Sequence, residues 1–134
     1  MNDLEKLEGQ LLNLPQVECP LVHKFANGVY YREIHMPAGA FIIGQQHKTE
    51  HFNIILSGRA SVLIDGVVQQ IKAPDSFISG VGVRKVLFIH EDMRWVTIHP
   101  TDITDVDKLE ALLVEKSETF KKHELEKLQC HLLQ

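Results

Sequence analysis

The sequence is poor in cysteine and proline and has no long apolar run. Its two cysteines, Cys19 and Cys130, stand far apart among 134 residues, one beside Pro20 and the other on a helical pattern. That count excludes a disulfide framework or a cysteine-rich zinc module, and two free thiols are expected. No stretch of about 18 apolar residues occurs, so no spanning helix is expected. The start, Met1-Asn2-Asp3-Leu4-Glu5-Lys6, lacks the basic and then apolar order of a signal peptide. The expected location is therefore cytoplasmic, with no membrane partner. Lysine and arginine number 14 against 18 acidic residues, a formal charge of −4, with no long basic block. Duplex nucleic acid, which is bound mainly by neutralising phosphates, is not an expected partner. A glycine-rich phosphate loop and a nucleophile elbow are also missing, which leaves kinase and serine-hydrolase readings without support.

The composition, 44% hydrophobic and 24% charged, is that of a soluble chain able to bury one core. Residues 1–20 read as a short helix and linker, because Leu4, Leu7 and Leu11 recur at helical spacing before Asn13 and Pro15. Residues 21–100 change texture. Short β-branched and aromatic runs are split by Asn27-Gly28, Pro37-Ala38-Gly39, Ser57-Gly58, Asp65-Gly66, Pro74-Asp75 and Gly80-Val81-Gly82. Such punctuation predicts an antiparallel sandwich or barrel. The clearest hairpin runs to Ile64, turns at Asp65-Gly66 and returns from Val67 to Ile71. Residues 83–99 read as two further strands, with Met93 to His99 alternating. Residues 101–134 form a helical extension: Thr104 is placed to cap one helix carrying Leu109, Leu112 and Leu113. A second helical pattern from Ser117 spaces Phe120, Leu125, Leu128 and Leu132 for packing on this chain or on a second copy, so a homodimer or higher homo-oligomer is expected.

The residues that carry chemistry lie between 39 and 58. Gly39, five residues, Gln45-Gln46-His47, three residues, His51, six residues and Gly58 reproduce the intervals of the first motif of the cupin superfamily. Gln45 stands at the first histidine, His47 matches the second, and His51 stands at the glutamate. The second motif is recognisable by its intervals, with Pro74 at a glycine, Gly80 at a proline, Gly82 matching, and Lys85 at the last metal-binding histidine. A closer resemblance, over about residues 30–113, is to small cupin-domain proteins encoded by tailed bacteriophages. It rests on His47-Lys48-Thr49-Glu50-His51, Gly58, Ala73-Pro74, Gly82-Val83-Arg84-Lys85 and Glu91-Asp92-Met93-Arg94-Trp95. The resemblance implies a mainly β, cupin-type antiparallel β-barrel (double-stranded β-helix) with a short N-terminal helix and C-terminal helices. It would also place the protein in host-cell cytoplasm.

Beside the resemblance stands the chemistry of the residues. Gln45 and His47 share a strand face, and a turn through Thr49-Glu50 can return His51 to it. A divalent transition metal would use His47, His51 and Glu50, although Glu50 is expected to face away. The ammonium of Lys85 would repel a cation. Lys85, the two imidazoles and Gln45 suit an anion better, with Arg84 at the pocket or its rim and Trp95 able to stack on a ring. The expected function is non-catalytic binding of a small anionic, nucleotide-like molecule without a cofactor, in one version a host defence signal sequestered by a phage protein. The alternatives are a metal-dependent oxygenase, isomerase or lyase, and a structural scaffold. His35, His90 and His99 are expected as hydrogen-bonded sheet histidines, unless one faces inward and joins His47. Tyr30 and Tyr31 are expected as core or cross-strand residues, and Lys48 and Glu50 as a surface pair.

Overall fold

The computed structural model describes residues 3–12 and 17–115. The expected helix from Ser117 and Cys130 lie outside the described residues. The predicted N-terminal helix is present as α1 (Asp3–Leu12), with Asp3 and Glu5 in its first turn, where the helix dipole favours negative charge. It lies outside the compact unit Glu18–Glu115, which carries the sheet and the candidate site.

That unit is mainly antiparallel β. Its strands are β1 (Leu21–Ala26), β2 (Val29–Met36), β3 (Phe41–Ile43), β4 (Gln46–His47), β5 (His51–Ile64), β6 (Val67–Lys72), β7 (Asp75–Ser79) and β8 (Val86–Pro100). After them come α2 (Val106–Leu113) and β9 (Val114–Glu115). The main ladder is ordered β1-β2-β8-β5-β6, with β3 on β8 and β7 on β5, and it does not close into a ring among the described residues. A separate two-stranded ladder joins β4 to β9.

The turn chemistry holds where two residues must reverse the chain. Ile64 pairs with Val67 across Asp65 and Gly66, whose φ values of 49° and 78° are those the tight hairpin demands. Two sequence expectations change. Ser57-Gly58 is not a turn, because β5 runs through it for 14 residues. Residues 83–99 are not two strands: β8 is one strand of 15 residues, starting at Val86. Both differences have one cause. Where β5 crosses β8, the pairing passes from Ser57↔Arg94 to Arg59↔Glu91 and then to Ala60↔Ile89, so a bulge takes up the residues that sequence reading assigns to breaks. Gly58, at φ +93°, is the residue that permits it. Each long strand thus serves two neighbours on its outer side. β7 and then β6 pair with β5, and β2 and then β3 pair with β8.

Alternation decides the core. Leu87 and Ile89 on β8 and Ala60 and Val62 on β5 pack with Ile55, Met93 and Trp95 in one buried cluster. The inward face then turns polar towards one end: Trp95, Thr97 and His99 follow each other on β8, and Ile55, Asn53 and His51 on β5, all buried. Asn53 ties the two regions together. Its amide accepts from the Trp95 indole N–H at 2.9 Å and donates to Ser79 Oγ at 2.8 Å. Asn53→Ala leaves both partners buried and unpaired, and a loss of about 2–4 kcal/mol in urea unfolding is the expected outcome. The α2 cap is Asp105 rather than Thr104, because the Asp105 carboxylate accepts from the N–H groups of Asp107 and Lys108. Leu109 and Leu113 of α2 pack with Tyr30.

The opposite face of β2 holds a charged knot. Glu33 is buried, yet its carboxylate accepts from Arg94 at 2.9 and 3.2 Å, from Tyr31 and from His35. The Arg94 hydrogen bond and the Tyr31 hydroxyl hold its carboxyl down to about 2, against burial. A carboxylate with a lowered native pKa stabilises above its unfolded value near 4.5, and that contribution is lost as pH falls towards 2. Glu33→Gln is therefore expected to be less stable than the parent at pH 7, with the gap closing by about pH 2–3. Urea midpoints across that range check this.

Candidate functional site

The polar end of the sheet gathers side chains from four strands. Register sets Tyr30 against His99, and His51 against Ser79, while Phe52 opposite Ile98 brings His51 and His99 side by side. His47 reaches the same place from β4. Its main chain is held on both sides, with His47 N–H donating to Val83 O at 3.3 Å and Gly82 N–H donating to His47 O at 2.8 Å. Across the other edge His47 pairs with Val114 of β9, and Lys48 donates from its backbone N–H to Leu113 O at 2.7 Å. The end of α2 is thereby fastened to the strand that carries His47.

Three imidazoles result. Ring centroids lie 4.3 Å apart for His47 and His51, 4.9 Å for His51 and His99, and 6.3 Å for His47 and His99, the last pair nearly parallel. His51 Nδ1–H donates to Thr49 O at 3.0 Å, since a carbonyl can only accept, and this fixes the tautomer and leaves Nε2 a lone pair. His99 Nε2 meets Thr97 Oγ1 at 2.9 Å. His51 Nε2, His47 Nδ1, His99 Nδ1 and Thr49 Oγ1 are buried with no hydrogen-bond partner among the described residues. Buried polar atoms rarely stay unpaired, and three of these four are ring nitrogens of the one imidazole cluster.

Electrostatics push the cluster to neutrality. Burial lowers His47 to about 3, helped by His51, Lys85, His99 and Arg32, all of them bases. Burial and then His51 and Arg32 lower His99 to about 4. His51 is also lowered, chiefly by burial and further by Lys85, with the Thr49 hydrogen bond acting the other way. Lys85 is 8% exposed, and burial takes its amine down to about 8.

The sequence-selected residues divide as follows. His47, His51 and Lys85 come together. Lys85 stands two residues before Leu87, which is in the core, and so continues the inward alternation. Arg84 takes the other direction, half-buried, with Nε donating to Gly44 O at 2.8 Å. Gln45 is half-buried and engaged in an interaction of its own. Glu50 is exposed, as expected. Trp95 sits in the core at 4% exposure, its N–H spent on Asn53, and not on an open pocket wall. Lys48 donates from Nζ to Ala111 O at 3.0 Å, a contact that takes the place of the expected surface pair with Glu50. His35 and His90 are hydrogen-bonded sheet histidines, to Glu33 and to Ser61. His99 is the one that joins His47. The signal for it was the alternation Trp95, Thr97, His99, but only the β5–β8 register shows which neighbour it meets.

The cupin pattern implies a metal ion, and these residues do not fit one. Gln45 and Lys85 replace two of its ligands, and the Lys85 ammonium, which can only donate, acts on both His47 and His51. Among the described residues, no group of three or more His, Cys, Asp or Glu side chains is placed to hold a metal ion.

No protein-family model matches the chain, and no curated protein matches it. Solved structures do. The cupin domain of Schizosaccharomyces pombe Cnp3 is similar at 21% identity with a TM-score of 0.54, covering 69% of this chain and 72% of that one. A cupin superfamily protein of Desulfitobacterium hafniense is similar at 12% identity and a TM-score of 0.55, covering 70% of this chain and 87% of the other. The DMSP lyase DddQ of Ruegeria pomeroyi gives 18% identity and a TM-score of 0.53 over 66% of this chain, and 48% of its own length is spanned. Nothing in these likenesses links the chain to bacteriophage proteins. What they establish is the fold: the chain has the mainly β, antiparallel architecture of cupin domains.

Proposed function

We propose that the chain is a small-molecule-binding protein built on a cupin-type barrel, which captures a small anion at His47, His51, His99 and Lys85 without turning it over. The observation that carries this is the cluster itself: the groups acting on His47 are four bases, and a ring nitrogen of each of the three histidines is buried without a partner among the described residues. An anion supplies an acceptor for Lys85 and, by favouring protonation, turns neutral imidazoles into donors. The phage resemblance supports a finer version, in which the phosphate of a nucleotide-like host signal occupies these groups. Homo-oligomer formation belongs to the same proposal, supported by Phe52 and Ile78, a cross-strand pair 56% and 58% exposed on the other face of the sheet.

Thermal unfolding with inorganic phosphate, nucleoside monophosphates and small carboxylates tests it. A ligand present at a hundred times its Kd adds about 2.7 kcal/mol, so a clear rise in Tm is expected for one class, larger at pH 6 than at pH 8 and lost in His51→Gln. No shift with any of them, native mass spectra included, would return the molecule to the scaffold reading.

A further inference from the structure

We infer that Lys85 is a carbonyl-capturing amine, whose Nζ forms a reversible imine with a small anionic aldehyde or ketone such as a 2-oxo acid; this deepens, and rests on, the anion site proposed above. The geometry separates Lys85 from the other lysines of the described residues. Lys6, Lys24, Lys48, Lys72 and Lys108 are exposed, Lys24 lying over the Tyr31 ring and Lys48 bonded to Ala111 O. Among the described lysines Lys85 alone is buried. Burying an ammonium is costly, and desolvated lysines are the ones that act as amine nucleophiles. With its pKa near 8, roughly a tenth of Lys85 is neutral at pH 7.

The proton has a place to go. His51 Nε2 carries a free lone pair, because Nδ1–H is committed to Thr49 O. The Nζ lone pair attacks the carbonyl carbon, the C=O π pair moves to oxygen, and His51 Nε2 takes one proton from the nitrogen and passes it to that oxygen. The carbinolamine so formed loses its hydroxyl as water, the second N–H proton reaching that hydroxyl through the same Nε2, and the nitrogen lone pair closes the C=N bond. Amine and carbonyl compound become imine and water, with no oxidant or reductant. The carboxylate of the ligand is left facing His47 and His99, whose ring nitrogens await a partner.

Glyoxylate with sodium cyanoborohydride is the probe. Near pH 7 the native chain is expected to gain one carboxymethyl group at Lys85, about tenfold faster than at Lys24, Lys48, Lys72 or Lys108, and the preference should vanish in urea. Glycolate, with the same carboxylate but no carbonyl, should raise Tm and slow the labelling. If glycolate stabilises the chain but labelling is spread evenly over the lysines, the imine is overturned and the anion site stands. If glycolate does nothing and labelling is even, both fall. Selective labelling that glycolate does not slow would show a reactive lysine without an anion site, and overturns the ligand class.

Discussion

Replacing Gly58 with alanine is expected to cost about 3 kcal/mol or more and to leave little folded protein at 37 °C. Two effects combine at this residue. Its φ of +93° is one that side chains rarely adopt, and a Cβ built there lies 2.3 Å from Asp92 O and 2.7 Å from Met93 Cγ. The first contact is with backbone, so β8 itself would have to move, and it would move at the bulge that lets β5 and β8 serve two neighbours each. Gly39 separates the two effects. Its φ is +86°, but a Cβ there meets nothing within 4 Å, so Gly39→Ala should show the conformational cost alone, about 1 kcal/mol. Urea unfolding of both variants is the measurement. Equal losses would mean that the close approach at Gly58 relaxes and that the bulge does not depend on glycine.

Lys85→Met is expected to change binding and stability in opposite directions. The ligand-induced rise in Tm should disappear, a loss of about 2.7 kcal/mol at a hundredfold excess over Kd. The free protein should gain about 2 kcal/mol at neutral pH, because a methionine of similar length fills the space without desolvating a charge. The pH dependence identifies the cause. A lysine whose native amine lies near 8, below its ordinary 10.5, is penalised while protonated, and the unfolded chain holds more protons between those values. The parent should therefore recover stability as pH rises from about 8 to 10.5, and its gap to Lys85→Met should narrow over that interval. A gap that stays constant with pH would assign the difference to packing and not to charge.

The histidines give an acid limb of their own. His47 near 3 and His99 near 4 are neutral in the native state and titrate near 6.5 when unfolded, so each lowers stability as pH falls from about 6.5 towards its native value. This limb begins above the one due to Glu33, which starts near 4.5. A bound anion should flatten the first and leave the second unchanged.

Much of this molecule is decided along the chain, because turn chemistry and alternation are local. Asp65-Gly66 fixes a hairpin, the leucine spacing fixes α1, and the intervals from Gly39 through His47 and His51 to Gly58 bring two imidazoles to one place. Lys85 is set beside them by motif spacing, and Arg84 then turns away because neighbours on an extended chain diverge. Other features depend on which strands meet. Gly58 looks like a turn in sequence and becomes a bulge only because β8 lies against it. Trp95 looks available for stacking and becomes core, since Asn53 of a paired strand takes its N–H. His99 looks like an ordinary sheet histidine, and the register of Phe52 on Ile98 makes it the third imidazole of the site. Local sequence sets conformation and face; contact across strands distant in the chain sets which buried groups are brought together and which of them find partners.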